Sequence, residues 1–169
     1  MKTFKTILVV LLIILIVIQF FHPAKNVSTA PPSSNDVAVM YNEPDNVRTI
    51  LNKACNDCHS NNTRYPWYNN IQPVAWWLND HVQEGKHELN LNEIGSYPLR
   101  RQYNKFKEIT EQVKEDEMPL GSYTLIHTDA KLTSAEKATL TDWANSIQAT
   151  MRSKYPLDSL LKKKLPVKG

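Results

Sequence analysis

A chain of 169 residues allows one domain of ordinary size plus appendages. The formal net charge of +3 misleads, because bases gather at the two ends: between residues 31 and 161, 13 Lys and Arg face 17 Asp and Glu, a net of −4. That balance excludes nucleic acid as a partner, since phosphate binding needs clustered bases on the folded part.

The N-terminus, MKTFKTILVVLLIILIVIQFF, sets Lys2 and Lys5 before a run from Ile7 to Phe21 that is apolar except for Gln19. A core helix seldom has every face apolar, so residues 1–21 read as a membrane anchor or signal segment. A small-x-small site at Ser28-Thr29-Ala30 is followed at once by Pro31, which favours an uncleaved anchor with both lysines on the cytoplasmic side. The remainder is then exported and faces the periplasm from the inner membrane, an oxidising compartment where free thiols need an explanation. Residues 22–43 contain Pro23, Pro31, Pro32 and the polar run Ser33-Ser34-Asn35-Asp36, a composition that reads as a flexible linker.

From Pro44 the period is helical, with Val47, Ile50, Leu51 and Ala54 on one face, and this helix delivers Cys55 at its end. An aromatic-rich loop with Tyr65, Trp67 and Tyr68 follows. A second helix is predicted from Pro73, with Val74, Trp77, Leu78, His81 and Val82 on one face and Gly85 placed to end it. A third starts near Leu99, carries Tyr103, Phe106, Ile109 and Val113, and stops before Pro119. The last is marked by a capping box at Thr133-Ser134-Ala135-Glu136, with Leu140, Trp143, Ala144 and Ile147 behind it. Residues 153–169 read as a basic tail. No strand alternation is visible, so the folded region, residues 44–152, is all-α.

Within it lies Cys55-Asn56-Asp57-Cys58-His59. C-x-x-C-H is the spacing for covalent c-type haem: sulfurs three residues apart share a helical face and reach both vinyl groups, and His59 is directed beneath the iron as proximal ligand. Its second ring N–H then needs an acceptor, for which a carbonyl of the Pro66–Pro73 loop is the expectation. Met118 is the leading distal ligand, since it stands in a loop between amphipathic helices with Pro119 fixing its backbone; His127 is the alternative, and an open distal position the third. Trp67, Trp76, Trp77, Tyr65 and Tyr68 are expected to shield the porphyrin, and Arg64, Arg100 and Arg101 to pair with propionates. A disulfide or a zinc site using the same cysteines stays open, although zinc would need ligands from scattered histidines.

The segments CNDCHSN, YPWY, IQPVAWWL, HVQEG and EMPLGSYTLIHTDAKLT resemble the small bacterial haem-binding domain family, whose members look like monohaem c-type cytochromes. The resemblance runs from Val47 to Ala149. It implies a small cytochrome c-like helical domain around one covalent haem per chain, attached at Cys55 and Cys58 and ligated by His59. Met118, in Met-Pro before a capped helix, resembles the distal methionine segment of such cytochromes. The expected function is electron transfer with redox partner proteins, and no enzymatic activity. The alternative is a gas or redox sensor, or a peroxidase-like module, with an open distal site.

Overall fold

The computed structural model of the protein describes residues 2–161, so the basic residues Lys162, Lys163, Lys164 and Lys168 lie outside the described residues. Chain order begins with α1 (Lys2–Ile18), which buries none of its side chains. At 1.5 Å per residue its 17 residues extend about 25 Å, against roughly 30 Å of bilayer hydrocarbon. Among the described residues no helix is long and apolar enough to cross a membrane. The spanning anchor helix expected from the sequence is therefore not formed by α1 alone.

The segment from His22 to Glu43, expected as a flexible linker, is bonded to the domain along its length. The Asn26 amide donates to the Ser60 carbonyl (2.9 Å) and to Thr63 Oγ1 (3.0 Å), and its oxygen accepts from Lys86 Nζ (2.6 Å). Ser28 N donates to Asn62 Oδ1 (2.8 Å), and Val37 N to the Leu91 carbonyl (2.9 Å). Asp36 caps the short helix α2 (Val37–Met40), accepts from Asn92 Nδ2 (2.6 Å) and leaves Val37 buried. Composition hid this because Asn and Ser bond backbone as readily as water does.

The helices that build the core follow the sequence period. Helix α3 (Asp45–Ala54) buries Val47, Ile50, Leu51 and Ala54, and runs into the single turn α4 (Asn56–His59). Helix α5 (Val74–Glu88) buries Ala75, Leu78 and Val82. Trp77 is not on that face; it and Trp76 are exposed. Helix α6 (Leu99–Lys114) buries Tyr103, Phe106 and Val113. A six-residue helix α7 (Gly121–Ile126), unforeseen in the sequence, precedes α8 (Ser134–Lys154), and α9 (Leu157–Leu160) closes the described chain. The Thr133–Glu136 capping box is present in both directions. Between these helices lie 3-10 turns at Trp67–Asn70, Ile94–Ser96 and Thr128–Ala130, and no strand occurs among the described residues.

Helices α3, α6 and α8 enclose the core. The fully buried Phe106 meets Tyr41 and Trp143 edge-on, with ring centroids 4.9 and 5.8 Å away. Burial of such side chains stabilises by roughly 1.5–3 kcal/mol each. Leu160 is also fully buried, so the first part of the expected basic tail belongs to the core. This packing holds α3 fixed and, with it, the residue at its C-terminus, Cys55.

Candidate cofactor site

Cys55 is at once the C-cap of α3 and the N-cap of α4, with its N–H bonded to the Leu51 carbonyl at 2.9 Å. Its own carbonyl accepts from Cys58 N (3.1 Å) and His59 N (2.9 Å), a tight turn that brings both sulfurs and the imidazole to one side. The two cysteines are free. Their pKa values are pushed up, Cys55 to about 12 and Cys58 to about 11, chiefly by burial and secondarily by the neighbouring Cys58 and Asp57 respectively. No group of three or more His, Cys, Asp or Glu converges on a metal position among the described residues.

His59 is held by α5 rather than by the aromatic loop. Its Nδ1–H donates to the carbonyls of Gly85 (2.9 Å) and Leu89 (3.0 Å) at the end of that helix. The expected acceptor between Pro66 and Pro73 is thus replaced by a helix terminus, and the tautomer is settled: Nε2 keeps its lone pair and has no protein partner among the described residues. Burial lowers the His59 pKa, only partly offset by the two carbonyls.

Gly85 makes this approach possible. It does not end α5, which continues to Glu88; instead it lies against α4, where an added Cβ would come within 2.8 Å of the Cys58 carbonyl oxygen and 3.0 Å of its Cβ. Gly85→Ala gains up to about 1 kcal/mol of helix propensity but forces backbone apart, and overpacking at about 1–3 kcal/mol is the larger effect. A net loss of about 1–2 kcal/mol in urea unfolding is expected.

Two cavities open beside Cys55 and His59. One, of about 290 Å³, is bounded by Cys55, Cys58, His59, His81, Met118 and Tyr123 among others. The other, of about 310 Å³, lies toward the core between Leu51, Ile109, Val113 and Leu140. Cys55, His59, Glu88 and Met118 border both, so the two are halves of one crevice. Met118 is brought there by the end of α6. Asp116 takes a left-handed conformation (φ 60°), and Glu117 N and Met118 N both donate to the Gln112 carbonyl, at 3.0 and 3.2 Å. The predicted Cys55, Cys58, His59 and Met118 are therefore brought together.

An apolar slot with two free thiols, an unpartnered imidazole nitrogen and a thioether has the donor set of a haem pocket. Residues 13–146 match the family described as a haem-binding domain. The chain belongs to this family. No curated protein and no solved structure matches it.

Other residues of the haem-binding domain stand elsewhere than the sequence suggested. His127 does not line the crevice: its Nε2 is hydrogen-bonded with the Tyr68 hydroxyl (2.7 Å) and its ring stacks on Tyr123 at 4.3 Å. His81, read as a packing residue, does line it, with Nδ1–H donating to the Trp77 carbonyl at 2.8 Å. None of Tyr65, Trp67, Tyr68, Trp76 or Trp77 borders either cavity. The three arginines are engaged as well: Arg64 with Asp57, Arg100 with the Asp158 carbonyl, and Arg101 with the His87 and Glu88 carbonyls. Lys105, between Glu88 (3.2 Å) and Glu108 (2.7 Å), is the cation on the cavity wall.

Sequence reasoning also missed Asp57. Buried between the two cysteines, it accepts from Arg64 N (3.0 Å), Arg64 Nε (3.1 Å) and the Tyr123 hydroxyl (2.6 Å). These bonds tie α4 to the following loop and to α7, and they raise the pKa of Arg64; the Tyr123 pKa is raised by burial first and then by Asp57. The signal available in the sequence was an acidic residue inside C-x-x-C with an arginine seven positions on.

Proposed function

We infer that the protein is a membrane-tethered monohaem c-type cytochrome that carries single electrons on the periplasmic side of the inner membrane. Cys55 and Cys58 would hold one haem through thioethers, with His59 and Met118 as axial ligands. The observation that carries this reading is His59: its Nδ1–H is pinned by two carbonyls, and its Nε2 is left to a crevice shared with both thiols and Met118. Bound haem supplies one-electron chemistry at iron.

The chain's residues account for the rest. Leu51, Ile109, Val113 and Leu140 give one half of the crevice an apolar wall, and the soft thioether of Met118 suits ferrous iron. Lys105, the cation on the cavity wall, would take the role first given to the arginines by exchanging Glu88 or Glu108 for a haem carboxylate. With Met118 on the distal side no coordination position is left for a substrate, so the reading is of a carrier and not an enzyme. Tethering is supported by α1 together with the i→i+3 bonds of Gln19, Phe20 and Phe21, which extend the helical segment from Lys2 to about 31 Å, of which the apolar run from Ile7 makes about 24 Å. Lys2 and Lys5 would remain cytoplasmic.

The test is made on full-length protein exported by a strain that matures c-type cytochromes. The pyridine haemochrome should report one haem per chain that survives acid acetone, and the reduced native protein should ignore carbon monoxide. Colour lost to acid acetone would remove the thioethers from the reading. Rapid carbon monoxide uptake would replace the carrier with a sensor or peroxidase-like module.

A further inference from the structure

Phe20, Phe21, Trp67 and Trp76, exposed aromatic residues that do not line the crevice, stand around the end of α1. Gln72 N donates to Gln19 Oε1 (2.9 Å), Gln19 Nε2 donates to the Gln72 carbonyl (3.2 Å), and both Gln72 Nε2 and Trp76 Nε1 donate to the Phe21 carbonyl (2.6 and 2.9 Å). The domain is therefore fastened to the apolar helix with no slack. Around this joint Phe20 is 81% exposed, Phe21 62%, Trp67 76% and Ile71 44%. Tyr68, beside Trp67, links through His127 to the end of α7, where Leu125 and Ile126 are also exposed.

Charge sets this face apart. No Asp or Glu precedes Asp36, none occurs from Cys58 to Asn79, and none from Gly121 to Thr128, while Lys25 lies over the Tyr65 ring at 5.6 Å. A chain that is net acidic elsewhere thus turns a carboxylate-poor, Trp-bearing surface toward the end of its apolar helix, with the exposed Asp80 one turn beyond Trp76 at its edge. Tryptophan at the junction of an apolar segment and water fits the headgroup layer, where the ring is buried and the N–H finds a partner. Continuity with α1 and complementarity to anionic headgroups select a lipid bilayer as the occupant.

We propose that the Phe20–Phe21, Trp67–Ile71 and Trp76 face lies on the membrane surface, so that the domain is seated on the bilayer instead of hanging from a stalk. The proposal rests on the tethered reading and deepens it. Trp77 and His81 stand one turn apart on α5, with rings 4.4 Å apart, and His81 lines the crevice, so the seated domain holds its cofactor opening close to the lipid.

The test uses haem-loaded, full-length protein in vesicles of phosphatidylcholine and phosphatidylglycerol. The vesicles contain a phosphatidylcholine with a photoactivated carbene precursor near the glycerol end of its acyl chain, and adducts are mapped by mass spectrometry. Adducts are expected both on α1 and on the stretch from Trp67 to Trp77. Trp67→Ser with Ile71→Ser, at exposed positions, should lose the second set while keeping the first and the haem spectrum. Adducts on α1 alone would overturn the seating and leave the tether intact, and the same pattern with a dimer of the detergent-solubilised protein that the variant fails to form would assign the face to a second copy. Adducts on the domain without α1 would keep the seating and defeat the tether. Labelling of neither, or equal domain labelling in the variant, would overturn the seating.

Discussion

His59→Ala should yield exported protein with little covalent haem. Haem retained on denaturing gels is expected to fall at least tenfold, since even the partners of metal ligands change affinity by about 10–100-fold. The reasoning is geometric: α5 fixes one ring nitrogen through the Gly85 and Leu89 carbonyls, so no other side chain can enter from that side without moving a helix terminus. Normal haem content with an unaltered spectrum would remove His59 from the iron. The same substitution has a pH signature in the haem-free chain. Burial lowers the His59 pKa, so below the unfolded value of about 6.5 the unfolded chain binds a proton that the folded chain refuses. Stability then falls as the pH drops below that value, and it is regained as the pH rises. Urea midpoints at about pH 7.5 and 5.5 should differ in the parent and converge in the variant.

Met118→Ala should open the distal side. Axial ligands set haem potentials over about 0.8 V, and loss of a thioether is expected to lower this one by on the order of 0.2 V. Carbon monoxide should then bind the reduced protein rapidly. Because Met118 N is bonded to the Gln112 carbonyl, the loop should keep its path and the change should stay local. An unchanged potential and spectrum would transfer the distal role to His81, which lines the crevice with Nε2 free when Nδ1–H is on the Trp77 carbonyl. His127 is not a candidate for that role while it bonds Tyr68.

Much of the scaffold was legible because it depends on period and punctuation. Val47, Ile50, Leu51 and Ala54 face inward as spaced, and the Thr133–Glu136 box starts α8 where it should. Trp77 shows the limit. Hydropathy places a tryptophan inside, but α5 buries the narrower stripe of Ala75, Leu78 and Val82, because α4 approaches closely along Gly85. Gly85 itself reads as a helix stop in one dimension and as a contact surface in three.

The one-dimensional order of residues determined the chemistry of the site: two thiols and an imidazole within one turn, and a thioether beside Pro119 after an amphipathic helix. Those are local facts, set by spacing and by which atoms each side chain carries. Only the tertiary structure decided what orients the imidazole, which cation borders the crevice, and why the tryptophans stand outside it. Each of these depends on chain segments about 20 or more residues apart meeting at hydrogen-bond distance, as His59 does with Leu89, and Gln19 with Gln72. No local pattern encodes such meetings, because the packing of whole helices against one another sets them.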